Sequence, residues 1–165
     1  MKTLVLMRHA KALPAEIGES DFERNLNERG KQDAAIMGKR LHDKSLHTDL
    51  IICSAAKRTH KTAKIVAEEL HYKNHDIIVE MDLYEASVAE VVQVVRNLSD
   101  DYKSVVLIGH NPTITGLVGY LSQTHVEHVP TSGQACIRFN FKTWKQLIPQ
   151  SGELLWFDYP KNVFD

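Results

Sequence analysis

The chain has 165 residues, 43% of them apolar and 25% charged, with a formal net charge of −1. That length and balance fit one globular domain built on one hydrophobic core. The near-zero charge excludes a global attraction to nucleic acid or anionic membrane, so any anion site must be a local cluster of positive groups.

Residues 3–8 predict a first strand, continuous and apolar as in a sheet buried on both faces, which ends in Arg8 and His9. Residues 11–25 are polar, contain Pro14 and Gly18, and predict a long loop. Asn25 or Asn27 then caps a helix over 27–46 with an Ala34, Ala35, Met37, Gly38, Leu41 stripe. A second strand spans 49–54, and a helix over 56–70 packs through Ala63, Ile65, Val66, Ala67 and Leu70. A third strand at 76–80 leads through Leu83-Tyr84-Glu85 to a helix over 87–98.

The fourth strand, 104–109, carries the strongest apolar run and is followed at once by His110-Asn111-Pro112. Asn111 suits a helix N-cap and Pro112 a first turn, and that helix presents Ile114, Leu117, Val118 and Leu121. Residues 134–141 and 153–158 alternate as two further strands with no helix between them, which predicts an antiparallel edge near the C-terminus. Strands alternating with helices imply an α/β fold with a mostly parallel sheet and right-handed crossovers. One domain over residues 1–159 and a tail over 160–165 are expected.

No apolar run approaches the ~20 residues of a membrane span, and no signal-peptide pattern is present at the N-terminus. Cys53 and Cys136 lie in apolar, strand-like context without metal-spaced partners, so buried free thiols of a cytoplasmic protein are expected. His125 and His128 lack a third ligand at convincing spacing, so no metal and no cofactor are expected. The basic run Lys57–Lys64 reads as a solvated helix face or a surface for an acidic partner.

Ligands of open α/β sheets bind outside the carboxyl ends of the strands. Those ends supply Arg8 and His9, then Ser54 with Arg58 one turn on, then Glu85, then His110. Two arginines and two histidines on one edge suit a doubly charged tetrahedral anion, because guanidinium forks match phosphate oxygens. The helix starting near Pro112 is expected to add N–H groups and a positive dipole end. An unprotonated imidazole in such a cluster can attack phosphorus and carry the phosphoryl group. Each residue alone has a plainer reading: Arg8 and Arg58 as solvated cations, His110 as a helix-start residue, Ser54 as a cap. Thr131-Ser132-Gly133 reads equally as pocket lining or an ordinary turn.

Arg8-His9-Ala10 resembles the Arg-His-Gly signature of the histidine phosphatase superfamily. Ser54-Ala55-Ala56-Lys57-Arg58-Thr59 with Thr62-Ala63 is similar to its Ser-Pro-x-x-Arg segment, and Val106–Pro112 to its Gly-His-Asn-Pro segment. Asp21–Gly30 and Leu83-Tyr84-Glu85-Ala86 resemble the short, SixA-type phosphohistidine phosphatase branch. The resemblance implies a phosphoglycerate mutase-like, three-layer α/β/α sandwich with about six strands. It implies His9 as nucleophile, with Arg8, Arg58 and His110 holding the phosphoryl oxygens. Glu85 falls where the wider superfamily places its general acid, and Arg24 and Asn111 are accessory binding candidates.

Ala10 and Ala55 depart from the family's Gly and Pro, and the Ala10 methyl is expected to narrow the pocket or alter the local backbone. The expected reaction is metal-independent hydrolysis of phosphohistidine on a protein by a monomer or weak homodimer. Hydrolysis of small phosphate esters, such as sugar phosphates or nucleotides, and a non-catalytic phosphoryl-binding module are the alternatives.

Overall fold

The structure is a computed structural model, and it describes residues 1–162. Six strands form one sheet: β1 (Lys2–Arg8), β2 (Leu50–Ser54), β3 (Ile78–Glu80), β4 (Ser104–Gly109), β5 (Gln134–Phe139) and β6 (Gly152–Asp158). Four helices connect them: α1 (Glu28–Asp43), α2 (Lys57–Glu69), α3 (Val88–Arg96) and α4 (Thr113–Leu121). The strand order is β3-β2-β4-β1-β5-β6. The first four strands in this order run parallel, and β5 turns back antiparallel to β1 and pairs with β6. This is the expected mostly parallel α/β sandwich with an antiparallel C-terminal edge.

The alternation of side chains along β1 divides the core. Leu4 and Leu6 pack with Leu107, Val91, Val95, Leu117 and Val118 on the α3–α4 face. Val5 and Met7 pack with Met37, Leu41, Val66 and Ala67 on the α1–α2 face. Both faces of the central strands are therefore apolar, which is why β1, β2 and β4 read as continuous runs. Burying one such Leu or Val contributes about 1.5–3 kcal/mol, so the strand ends at the site rest on a rigid floor.

The helices start where the local chemistry allows. Asn27 caps α1, its side chain accepting from Gly30 N at 2.7 Å, and Ser87 caps α3 in a reciprocal capping box with Glu90. The third strand is shorter than residues 76–80: a 3₁₀ turn at Asn74–Asp76 precedes it, and Ile78 and Val79 are exposed on the sheet edge. The α4 start also differs. Pro112 occupies the cap position and Asn111 lies before it, across a cis peptide bond.

Residues 163–165, the end of the expected tail, lie outside the described residues. Its first part is held: Arg40 donates to Tyr159 O at 3.0 Å and to Pro160 O at 3.4 Å, and pairs with Asp158.

Candidate active site

The order β2-β4-β1 brings the ends of three buried strands side by side. β1 delivers Arg8 and His9, β4 delivers His110, and the first turn of α2 delivers Arg58. All four line one cavity of about 440 Å³, together with Arg24, Glu85 and Asn111. Asp21, Tyr84, Lys11 and Thr131 complete its walls.

The β1–β4 ladder continues past the strands, with His9 N donating to Gly109 O at 3.0 Å. From the β5 side, Ser132 N donates to Arg8 O and His9 O at 3.1 and 3.2 Å. The His9 ring Nδ1 lies 2.8 Å from Ala10 O. A carbonyl oxygen only accepts, so Nδ1 carries the proton and Nε2 keeps its lone pair. Burial drives the His9 pKa down to about 3, the bond to Ala10 O opposing, with His110, Arg58 and Arg8 adding repulsion. His9 is thus a neutral imidazole at pH 7.

His110 faces it, ring centroids 5.2 Å apart. Its Nε2 is 2.8 Å from Ser54 Oγ and 3.3 Å from Thr59 Oγ1, and its Nδ1 is 3.4 Å from Arg58 Nη2. Arginine has only donors, so Nδ1 is the acceptor and Nε2–H donates to Ser54 Oγ. Burial and then Arg58 lower the His110 pKa to about 4. Ser54 is therefore a partner of His110. It also accepts from Ala56 N at 3.3 Å, but the α2 cap position belongs to Ala56, which makes no side-chain bond.

Arg58 is 6% exposed and donates from Nη1 to Asp21 O at 2.7 Å and from Nη2 to Asp21 Oδ2 at 3.1 Å. Arg8 donates from Nη1 to Val129 O at 3.3 Å, and burial lowers its pKa. The Nε groups of both arginines are buried without a hydrogen-bond partner. Two desolvated cations with unmet donor capacity favour an incoming anion.

Asp21 is the residue that sequence reasoning missed. Its carboxylate accepts from Tyr84 OH at 2.7 Å, from Arg58 at 3.1 Å and from Arg24 Nη1 at 3.1 Å. The Tyr84 bond, then Arg24 and Arg58, hold its pKa down at about 2 against partial burial. Burial and Asp21 in turn push the Tyr84 hydroxyl up to about 12. The available signal was Asp21 and Arg24 three residues apart before a capped helix. What it lacked was any sign that the loop returns to the sheet. That return is built by an Ala12–Leu26 bridge and by Asn27 N donating to Lys11 O at 3.1 Å. Gly30 lies so close to the Lys11 carbonyl that a Cβ there would collide with it.

Other expectations fare differently. Arg24 anchors the loop, its Nε donating to Leu13 O at 2.9 Å. Asn111 Oδ1 accepts from Thr115 N and Oγ1, and Nδ2 donates to Val129 O at 2.9 Å, so its side chain ties α4 to the 129–133 segment. The α4 start offers less than expected, because Ile114 N and Thr115 N already donate to His110 O and Asn111 Oδ1. Glu85 is exposed at the mouth with a left-handed φ of 56°. The Ala10 methyl does not narrow the pocket: Ala10 is fully buried among Leu26, Ala34 and Ile65, and its N–H donates to Thr62 Oγ1 at 3.0 Å.

Burial sorts the cavity into floor and rim. His9 and Arg58 are under 10% exposed, whereas the Asp21 side chain is 50% exposed. The floor carries His9 and Arg58, with Arg8 and His110 half-buried beside them, and Asp21, Arg24, Tyr84, Glu85 and Lys11 line the way out.

The sequence profile of the histidine phosphatase superfamily (branch 1) matches residues 4–91. The chain belongs to that superfamily. Solved SixA structures are similar to the chain over nearly its whole length. The crystal structure of an Agrobacterium tumefaciens protein assigned as the phosphohistidine phosphatase SixA superposes with a TM-score of 0.82 at 28% identity, covering 96% of this chain and 98% of that one. A protein histidine phosphatase SixA complexed with tungstate shares the fold, with a TM-score of 0.82 at 22% identity over 96% of this chain and 97% of that one. The mitochondrial serine/threonine-protein phosphatase Pgam5 of Drosophila willistoni is 36% identical over 69 residues, 42% of this chain. The match spans only 23% of that longer protein. Among the described residues no helix is long and apolar enough to cross a membrane, and no group of three or more His, Cys, Asp or Glu side chains could hold a metal ion.

Proposed function

We propose that this histidine phosphatase hydrolyses phosphohistidine on another protein through a phosphorylated His9. The observation that carries the reading is the His9 Nδ1–H bond to Ala10 O, which leaves Nε2 unprotonated beside Arg8, Arg58 and His110. In the first step Nε2 forms a bond to phosphorus while the P–N bond to the substrate imidazole breaks, and the leaving nitrogen takes a proton from solvent or the rim. In the second, water attacks phosphorus, phosphate departs and the lone pair returns to Nε2. Arg8 and Arg58 hold the equatorial oxygens in both steps, and His110, whose Nε2–H is held by Ser54, joins them when its Nδ1 takes a proton as the phosphoryl dianion binds. They supply the charge neutralisation, so the proposed reaction proceeds without a metal ion.

The rim supports phosphohistidine over phosphate esters. In-line displacement places the leaving group opposite the nucleophile, toward the cavity mouth. There it meets two carboxylates, Asp21 and Glu85. An imidazole leaving group has a pKa near neutrality and departs as a cation or neutral molecule, whereas an alkoxide needs a committed acid. Carboxylates facing the leaving group favour the former. Tungstate in the related SixA structure supports a phosphate-like ligand for this pocket.

The test compares phosphate release from a phosphohistidine protein, a phosphoserine peptide and an aryl phosphate, each with and without chelator. Radiolabelled substrate should leave acid-labile, base-stable label on the wild-type enzyme and none on His9→Ala. Undiminished turnover by His9→Ala refutes the nucleophile, loss of activity with chelator refutes the metal-free step, and a preference for phosphoserine refutes the substrate.

A further inference from the structure

A second groove of about 380 Å³ adjoins the catalytic pocket and shares Lys11 and Thr131 with it. Beyond that shared wall it is lined by Arg29, Lys161, Tyr159 and Pro160. Among the described residues its single carboxylate, Asp33, is buried and already accepts from Arg29 Nε at 3.1 Å. Lys11 and Lys161 are exposed, so the groove carries a net positive charge of two beside apolar Tyr159 and Pro160 surface.

The walls are built. Asp158 Oδ1 accepts from Tyr159 N at 2.9 Å and from Asn162 Nδ2 at 3.1 Å, and Arg40 ties Asp158, Tyr159 O and Pro160 O to α1. On the other side of the catalytic pocket the charge reverses. The neighbouring cavity, which shares His110 and Glu85 with it, is walled by Glu85 and Glu90. The mouth is thus polarised, basic toward Lys161 and acidic toward Glu90.

We propose that the Lys11–Lys161 groove is a docking subsite for an acidic polypeptide segment adjacent to the phosphorylated residue of a protein substrate. This rests on the phosphohistidine-protein reading and names the kind of protein it acts on. Two exposed cations and an aromatic wall match a segment of Asp or Glu with an interspersed apolar residue. The acidic far side repels the same segment, so the substrate chain enters in one direction. The groove is continuous with the site that receives the phosphoryl group, through the shared Lys11 and Thr131 wall.

The experiment uses the full chain and three peptide probes of ten residues. They carry phosphohistidine with a Glu-rich flank, phosphohistidine with a Lys-rich flank, and phosphoserine with the Glu-rich flank. Phosphoramidate serves as the flank-free reference. The wild type should prefer the Glu-rich phosphohistidine peptide through KM, by about five-fold or more at low salt, and lose the preference as salt rises. Lys161→Glu should abolish that preference while leaving phosphoramidate turnover unchanged, and Lys161→Arg should restore it.

Equal KM values for the two phosphohistidine flanks overturn the proposal, as does a Lys161→Glu loss that extends to phosphoramidate. Competition by a small bisphosphate as strong as that by the Glu-rich peptide also overturns it in favour of a small ligand. If the Glu-rich phosphoserine peptide is cleaved with the same Lys161 dependence and no phosphohistidine is cleaved, the groove stands and the phosphohistidine reading fails.

Discussion

Asp21→Asn removes one charge from the rim and keeps the side chain's size and an acceptor oxygen. Asp21 Oδ2 lies 3.1 Å from Arg58 Nη2, so a phosphoryl oxygen bound to the same guanidinium would sit roughly 5–6 Å from the carboxylate, given bond lengths near 3 Å. With the carboxylate 50% exposed, an effective dielectric of about 60 gives a repulsion of about 1 kcal/mol per unit charge. Removing it should tighten tungstate or phosphate inhibition about five-fold. The same substitution takes away the carboxylate that meets the leaving imidazole, so kcat on phosphohistidine should fall while kcat on an aryl phosphate holds. The assay pairs inhibition constants for tungstate with kcat and KM on both substrates. Weaker tungstate binding would mean that Asp21 acts mainly by orienting Arg58. A parallel change on both substrates would refute its role toward the leaving group.

Ser54→Ala leaves His110 Nε2 without its 2.8 Å partner, and kcat should drop about ten-fold, with a stability loss of about 1–2 kcal/mol from the unpaired buried donor. Gly30→Ala drives a Cβ into the Lys11 carbonyl, so the midpoint of thermal or urea unfolding should fall by an amount equivalent to about 2–3 kcal/mol; an unchanged midpoint would show that the loop gives way freely. Ala10→Gly restores the superfamily's usual residue but empties a methyl site among Leu26, Ala34 and Ile65; it should cost about 1 kcal/mol of stability and leave kcat unchanged. The folded-state pKa values of His9 and His110, about 3 and about 4, lie below the unfolded value. The unfolded chain therefore binds more protons in that interval, and the stability from the two neutral rings is present above about pH 6.5 and lost as pH falls toward about 4 for His110 and about 3 for His9. Histidine NMR titrations should show both midpoints far below that of an exposed histidine, and bound tungstate should raise them; midpoints near 6.5 in the free enzyme would contradict the buried neutral assignment.

How much was legible depends on what carried each residue. Arg8, His9, Arg58 and His110 sit at or just past strand ends, and strands buried on both faces announce themselves as apolar runs. Finding the runs meant finding the edge. Asp21 lies in a polar loop with no period, and its place depends on a two-residue bridge and on Gly30 packing against Lys11. Such contacts are tertiary and leave no local pattern. The partnership of Ser54 with His110 was hidden for a related reason, since a serine before a helix is read first as a cap. The third strand was over-read because Ile77, Ile78 and Val79 are apolar, yet at the sheet edge only Ile77 is buried.

The His9 N–H bond to Gly109 O makes His9 and His110 neighbours on a single ladder. Adjacent strands in any sheet stand about 4.8 Å apart, and the two imidazole centroids stand 5.2 Å apart. The gauge of the phosphoryl seat is thus borrowed from the repeat distance of the peptide hydrogen bond, a length no side-chain substitution can alter. Loops at the mouth can be exchanged, lengthened or recharged without detuning it. A scaffold of this kind separates the dimension that chemistry needs constant from the surfaces that recognition needs variable.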